Sequence, residues 1–210
     1  MWDGRELRVL VLLLRDAHEH WRPRRLSWTG IVGKEIQPEG RYAFRAVVQQ
    51  GGVTATSAAA DNTERDAFDF YWHFFPVRGK HNYGSSGARF GAGRSGHTHQ
   101  GQDVLANCGL KLVAAQGGTV VYSGYQSAAG NYIVIDNDGT ADDFVYMHLA
   151  TPAYLKTDGV VAAGQQIGVV GETGDATGCH LHFEYWQGDW YGGGHPIDPL
   201  PYLKAWDSTA

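Results

Sequence analysis

"GCHLHFE", residues 178–184, carries two histidines two positions apart in a short apolar run, with a cysteine before them and a glutamate after. On a strand, successive side chains point to opposite faces, so His180, His182 and Glu184 share one face while Leu181 and Phe183 share the other. Taken alone, a His-x-His in this setting reads most simply as a polar face washed by solvent. A metal site needs partners elsewhere in the chain.

The surrounding sequence has the same texture. Short runs separated by turn residues, "KLVAA" (111–115), "GTVVYSGY" (118–125), "NYIVID" (131–136), "FVYMHL" (144–149), "QQIGVVG" (165–171) and "CHLHFEYW" (179–186), are spaced as strands of an all-β unit. Upstream, "RYAFRAVVQ" (41–49) alternates, with Tyr42, Phe44, Ala46 and Val48 on one face and Arg41 and Arg45 on the other, the pattern of a half-buried strand. With the turn "QPEG" (37–40) and a further short strand "RRLSWTG" (24–30), residues 1–75 are expected to form a small β-sandwich, short of an initial strand. Trp28 and Tyr42 would lie in its core, and "TSAAADNTERD" (56–66) would be a loop or edge. The glycine-, serine- and arginine-rich stretch 74–96 has almost no periodicity and leads into a second unit, placed at 76–210 with the boundary near Pro76.

Composition agrees with a mainly β protein. The 210 residues, 43% of them hydrophobic, allow one or two domains with a sizeable core, and 29 Gly, 11 Tyr and 7 Trp against 2 Met favour turns and half-buried strands over helices. The formal net charge of -5 removes the electrostatic case for a nucleic-acid partner or an anionic membrane. Val9–Leu14, the longest apolar run, falls far short of the ~20 residues of a membrane span. It is also short for the apolar part of an export signal, so neither feature is expected in this chain. Cys108 and Cys179 are the only cysteines, compatible with one disulfide and nearly as well with two reduced thiols.

Partners for the two histidines do exist. "HTHQGQD" (97–103) places His99 and Asp103 four apart, an even step on a strand and about one turn on a helix, with Gly101 between them to let the backbone turn closely. "YMHL" (146–149) adds His148. Imidazole nitrogen and carboxylate oxygen are ligands that Zn²⁺ accepts, and a catalytic zinc keeps three of them and one open position. Five candidates leave a surplus of two, enough for a proton acceptor and a group that stabilises a charged intermediate. The helical motif His-Glu-x-x-His is absent, so histidines would have to replace its glutamate base.

"HQGQD", "YMHL", "GQQIGVVGETGDATGCHLHFE" and "HPIDPLPYL" resemble, in order over about residues 76–204, the lysostaphin/LytM family of zinc metallopeptidases, which cut peptidoglycan cross-bridges. The resemblance implies a twisted antiparallel β-sheet with a groove over the metal. It also implies that His99, Asp103 and His182 hold Zn²⁺ while His148 and His180 are the catalytic pair that does not ligate it. The activity implied is that of a zinc endopeptidase acting on peptidoglycan peptides, as a monomer outside the cytoplasm. More loosely, "EGRYAFRAVV" resembles the immunoglobulin-like domain of flagellar hook-capping proteins. Cys108 and Cys179 depart from the best-known family members, and a disulfide between them would tie the Asp103 segment to the His180 strand.

Other features invite plainer readings. "DNDG" (136–139) is a hairpin turn, since the twelfth position of a calcium loop begun at Asp136 is Met147. "GETGDATG" (171–178) lacks the Lys-Ser/Thr of a phosphate loop. His97 is expected to flank the site, and Glu184 to support it from His182's face. Two rival functions remain at this level: a non-catalytic wall-binding module on the same fold, and a carbohydrate-binding β protein using Trp186, Trp190 and Tyr191. The first would be expected to have lost ligand positions, and the second leaves the histidines idle.

Overall fold

A computed structural model describes residues 7–15, 31–32, 35–36, 40–50, 53–56, 67–70 and 72–208. The chain divides into two compact units, Met1–Trp72 and His73–Ala210. The first contains β1 (Leu7–Arg15), β2 (Ile31–Val32), β3 (Glu35–Ile36), β4 (Gly40–Gln50), β5 (Val53–Thr56) and β6 (Ala67–Phe70). The apolar run Val9–Leu14 is the body of β1, which pairs in parallel with β4 from Leu7↔Arg41 to Arg15↔Gln49. Antiparallel β6 and β5 pair in turn with the start and the end of β4. β4 is the alternating strand read from the sequence, and Tyr42 is buried as that alternation requires. Trp28 and the segments 24–30 and 57–66 lie outside the described residues.

The second unit contains β7 (Val77–Arg78), β8 (His81–Asn82), β9 (Gln102–Ala106), β10 (Lys111–Val113), β11 (Gly118–Gln126), β12 (Gly130–Asn137) and β13 (Asp143–Leu149). It continues with β14 (Val160–Val161), β15 (Gln166–Val169), β16 (His180–Gln187), β17 (His195–Ile197) and helix α1 (Leu200–Asp207). The main sheet runs β14-β11-β12-β13-β16-β9-β8, with β17 on β16, and a smaller sheet runs β15-β10-β7. Its pairings are antiparallel. The six runs singled out in the sequence are β10, β11, β12, β13, β15 and β16. Strand β9 and helix α1 were not among them. In α1, Leu203 and Trp206, three apart, are buried together, and Pro201 falls in the first turn, where its missing N–H has no intrahelical partner to lose.

Both faces of β16 are covered. Leu181 and Phe183 enter the larger core with Ile133, Phe144, Tyr146 and Leu149. Burying two side chains of that size contributes roughly 1.5–3 kcal/mol each. The opposite face joins a smaller cluster of Tyr132, Val134, Val145 and Trp186. Cys108, just after β9, and Cys179, just before β16, form a disulfide with a Cα–Cα separation of 5.2 Å. It clamps two strands that are already neighbours. "DNDG" forms the β12–β13 hairpin turn, where the Asn137 backbone N–H and side-chain amide both donate to the Asp142 carbonyl, at 3.0 and 2.8 Å. No helix among the described residues is long and apolar enough to cross a membrane.

Candidate metal centre

The simplest reading of the His-x-His face, exposure to solvent, does not hold: His182 and Glu184 are 7% and 4% exposed. Their setting follows from strand register. His182 of β16 is paired directly with Asp103 of β9, and the alternation that turns Val104 and Leu181 into the core turns Asp103 and His182 to the other side together. His99 lies before β9 in a segment anchored by backbone bonds, its N–H donating to the Ala92 carbonyl and its carbonyl accepting from the Gly91 N–H. Gly101 serves this approach in a different way from the one expected. Its φ is not positive; a Cβ there would strike the Phe183 carbonyl oxygen and stand 2.8 Å from His182 Nε2, so the requirement is space for the β16 backbone first and for the ring beside it.

Three ligand-type atoms converge at one point. His99 Nε2 lies 3.0 Å from Asp103 Oδ1 and 2.9 Å from His182 Nδ1, and His182 Nδ1 lies 2.9 Å from the same carboxylate oxygen. The far side of each ring decides what this means. His99 Nδ1 is 2.8 Å from the Arg89 carbonyl oxygen, and His182 Nε2 is 3.1 Å from Glu184 Oε1; both partners accept, so both of these nitrogens donate. In the neutral rings the converging nitrogens then carry lone pairs, and two lone pairs plus an anionic oxygen without a proton between them form a site for a cation. Three protein ligands of the types His, His and Asp suit a catalytic zinc with one open position. The other carboxylate oxygen, Asp103 Oδ2, faces Arg94 Nη2 at 3.6 Å.

The electrostatics carry the same message. Burial raises the Asp103 pKa, but hydrogen bonds from His182 and His99 overcome it and hold the carboxyl well below the usual range. For His182, burial opposes protonation, yet Asp103 and Glu184 outweigh it and push the pKa up to about 9. The pocket is thus built to attract positive charge, which a proton supplies when no metal ion does.

His148 and His180 stand beside this cluster, their rings 4.6 Å apart between centroids, with His148 5.9 Å from His182. Simple alternation would aim His148 into the larger core with Phe144 and Tyr146. A bulge prevents this: between Asn131↔Leu149 and Ile133↔Tyr146, β13 carries one residue more than β12, and His148 takes a left-handed backbone with φ 63°. Its side chain therefore comes out on the site's face, and Leu149 returns to the core. The ring is held by Nδ1 donating to the Thr173 carbonyl at 2.8 Å, as His180 Nδ1 donates to the Gly178 carbonyl at 2.8 Å. Gly130, with φ +68°, admits Thr173 closely enough to make that anchor; a Cβ there would run into Thr173. Burial, then the neighbouring His180, lowers the His148 pKa to about 4. His180 Nε2 faces Asp103 Oδ1 at 3.7 Å.

The five residues singled out in the sequence are therefore brought together. His97 is exposed on the flanking segment. Sequence reasoning missed Arg94, Thr173 and the part played by Trp186. Thr173 lies in the glycine-rich stretch 171–178, which in the sequence is only a poor match to a phosphate loop and a part of the family resemblance. Trp186, 3% exposed, cannot offer a face to a sugar. With Cys108 and Cys179 bridged, neither sulfur is a thiolate ligand.

Part of this chain is similar to known proteins. Residues 97–199 match the family described as Peptidase family M23. Lysostaphin of Staphylococcus simulans is 36% identical over 115 residues, 54% of this chain and 23% of that protein. The peptidoglycan DD-endopeptidase ShyC of Vibrio cholerae is 40% identical over 87 residues, 41% of this chain and 20% of that protein. The chain thus spans about a quarter or less of the length of these relatives. Among solved structures, the catalytic domain of the antimicrobial peptidase lysostaphin from Staphylococcus simulans superposes with a TM-score of 0.51 and 32% identity, covering 60% of this chain and 92% of that one.

Proposed function

Residues 97–199 belong to peptidase family M23, and from that premise we propose that this chain is a zinc-dependent endopeptidase that hydrolyses peptide bonds in peptidoglycan stem peptides or cross-bridges. The observation that carries the reading is the convergence of His99 Nε2, Asp103 Oδ1 and His182 Nδ1 with their far sides tied off. Those three residues hold the ion, and a bound Zn²⁺ supplies Lewis acidity that polarises a carbonyl and acidifies water.

The remaining chemistry belongs to His148 and His180. Each has its Nδ1–H committed to a backbone carbonyl, so each presents Nε2. His148, neutral above about pH 4, carries a lone pair there and accepts the proton of the attacking water. His180, as the imidazolium with a proton on Nε2 as well, is placed to donate a hydrogen bond to the oxyanion that forms as the scissile carbonyl is attacked. The proton returns to the leaving amine as the bond breaks. A peptidoglycan substrate is supported by the relatives, one named a peptidoglycan DD-endopeptidase and another, from Staphylococcus capitis, a glycyl-glycine endopeptidase. The Cys108–Cys179 bridge supports action outside the reducing cytoplasm.

Digestion of defined muropeptides, with each new amino terminus identified by mass spectrometry, tests the proposal and names the bond. Zinc-loaded protein that releases no peptide from any cross-linked substrate would overturn it.

A further inference from the structure

Three rungs of β16 lie on one face at the strand's period of two: His182, Glu184 and Trp186. All three are buried, and they are joined end to end. His182 Nε2 lies 3.1 Å from Glu184 Oε1, and the Trp186 indole N–H donates to Glu184 Oε2 at 2.7 Å. Across the ladder they face Met147, Val145 and Asp143 of β13. We infer that Glu184 is a positioning residue for the metal centre and that Trp186 is its lock: the indole N–H fixes the carboxylate, and the carboxylate fixes the His182 ring with Nδ1 aimed at His99 and Asp103.

Donors and acceptors decide the orientation of the His182 ring. An imidazole can present either nitrogen, and the hydrogen bond at one decides which lone pair is offered at the other. A carboxylate accepts at both oxygens, so it alone among side chains of this size satisfies two buried donors from opposite sides. Glutamine cannot. If its carbonyl oxygen accepts from His182, its amide nitrogen faces the indole N–H, donor against donor; turned over, it meets His182 with a donor and pushes that ring toward the other tautomer. Gly101 leaves the ring room to lie in the selected orientation, since a Cβ there would come within 2.8 Å of Nε2. The inference rests on the metal reading above and adds residues to it.

The test is the affinity of the full chain for Zn²⁺ alone, measured by competition with a chromophoric chelator, with the visible spectrum of the Co²⁺-loaded protein as a report on ligand geometry. Glu184→Gln should weaken zinc binding about 10–100-fold, the range seen when a ligand's supporting partner is lost, and should shift the cobalt bands. Trp186→Phe keeps most of the ring's packing, removes only the N–H, and should weaken binding by less. The double variant Glu184→Gln/Trp186→Phe should bind more tightly than Glu184→Gln alone, because the glutamine amide no longer faces a donor. Simple loss of packing gives the opposite pattern, two losses that add. Should Glu184→Gln fail to fold, judged by circular dichroism of the metal-free chain, Trp186→Phe alone decides through zinc affinity and the cobalt bands. Wild type that binds zinc while its folded variants match it, or losses that add in the double variant, overturns this inference alone; wild type that binds no zinc overturns the metal reading with it.

Discussion

Two carboxylates share one face of the main sheet, Asp103 opposite His182 near one end of β16 and Asp143 opposite Trp186 toward the other, and their surroundings drive them in opposite directions. Asp103 is half-buried among imidazoles that hold it ionised. Asp143 is buried too, and burial raises its pKa to about 6; the Trp190 backbone N–H pulls it down while Asp136, Asp189 and Asp142 push it up. Burial is common to both, so it cannot be what makes a cation site. What differs is the company. At one end the neighbours are imidazoles that donate hydrogen bonds to the carboxylate and hold it ionised, and at the other they are acids that repel it.

The largest effect is expected from removing a base or the acid at the first end. His99→Ala, Asp103→Ala and His182→Ala should each abolish stoichiometric zinc binding, since three ligands are the minimum for a tight catalytic site. Elemental analysis showing one zinc per chain in all three variants would end the assignment. The second sharpens the division between ligands and catalysts within the same cluster. His148→Ala and His180→Ala should keep zinc near the wild-type level while lowering turnover about 10²–10⁴-fold, the usual worth of a positioned acid or base. Zinc content and peptidoglycan hydrolysis measured on one preparation decide it: lost zinc makes the residue a ligand, and undiminished turnover removes it from the mechanism.

The smallest effect lies at the far end and is one of stability. Because the Asp143 pKa is higher in the folded chain than its ordinary 3.8, folding favours the protonated form. The stabilisation is present in full below about pH 4 and is lost as the pH rises through about 6. Asp143→Asn removes the repulsion and keeps an oxygen that can accept the Trp190 N–H, a bond of 2.7 Å. It should raise stability at pH 7 by about 1–3 kcal/mol and flatten its pH dependence between 4 and 6. Thermal unfolding across that range measures both. A less stable variant at neutral pH would show that the acidic end is not strained by charge.

The alternation in "CHLHFEYW" determined by itself that His182, Glu184 and Trp186 share a face, because side-chain direction on a strand is set by backbone geometry alone. The residue types and spacings of "HTHQGQD" and "YMHL" likewise determined the chemistry on offer, and the paired cysteines allowed the bridge. His148 is where the local rule fails: alternation alone sends it into the core, and only the extra residue of β13, held by pairing to β12 and by the Thr173 carbonyl, turns it to the site. Strand β9 was hidden because its five residues carry little apolar periodicity; its pairing with β16 brings Asp103 opposite His182. Which imidazole nitrogen offers its lone pair was beyond the sequence as well, since that depends on what lies behind each ring: a carbonyl from Arg89, and a glutamate that an indole holds in place. Side-chain direction is a property of the local backbone and survives in the sequence, whereas a bulge, a register and a tautomer are each fixed by a partner distant along the chain, and only the tertiary structure brings that partner into contact.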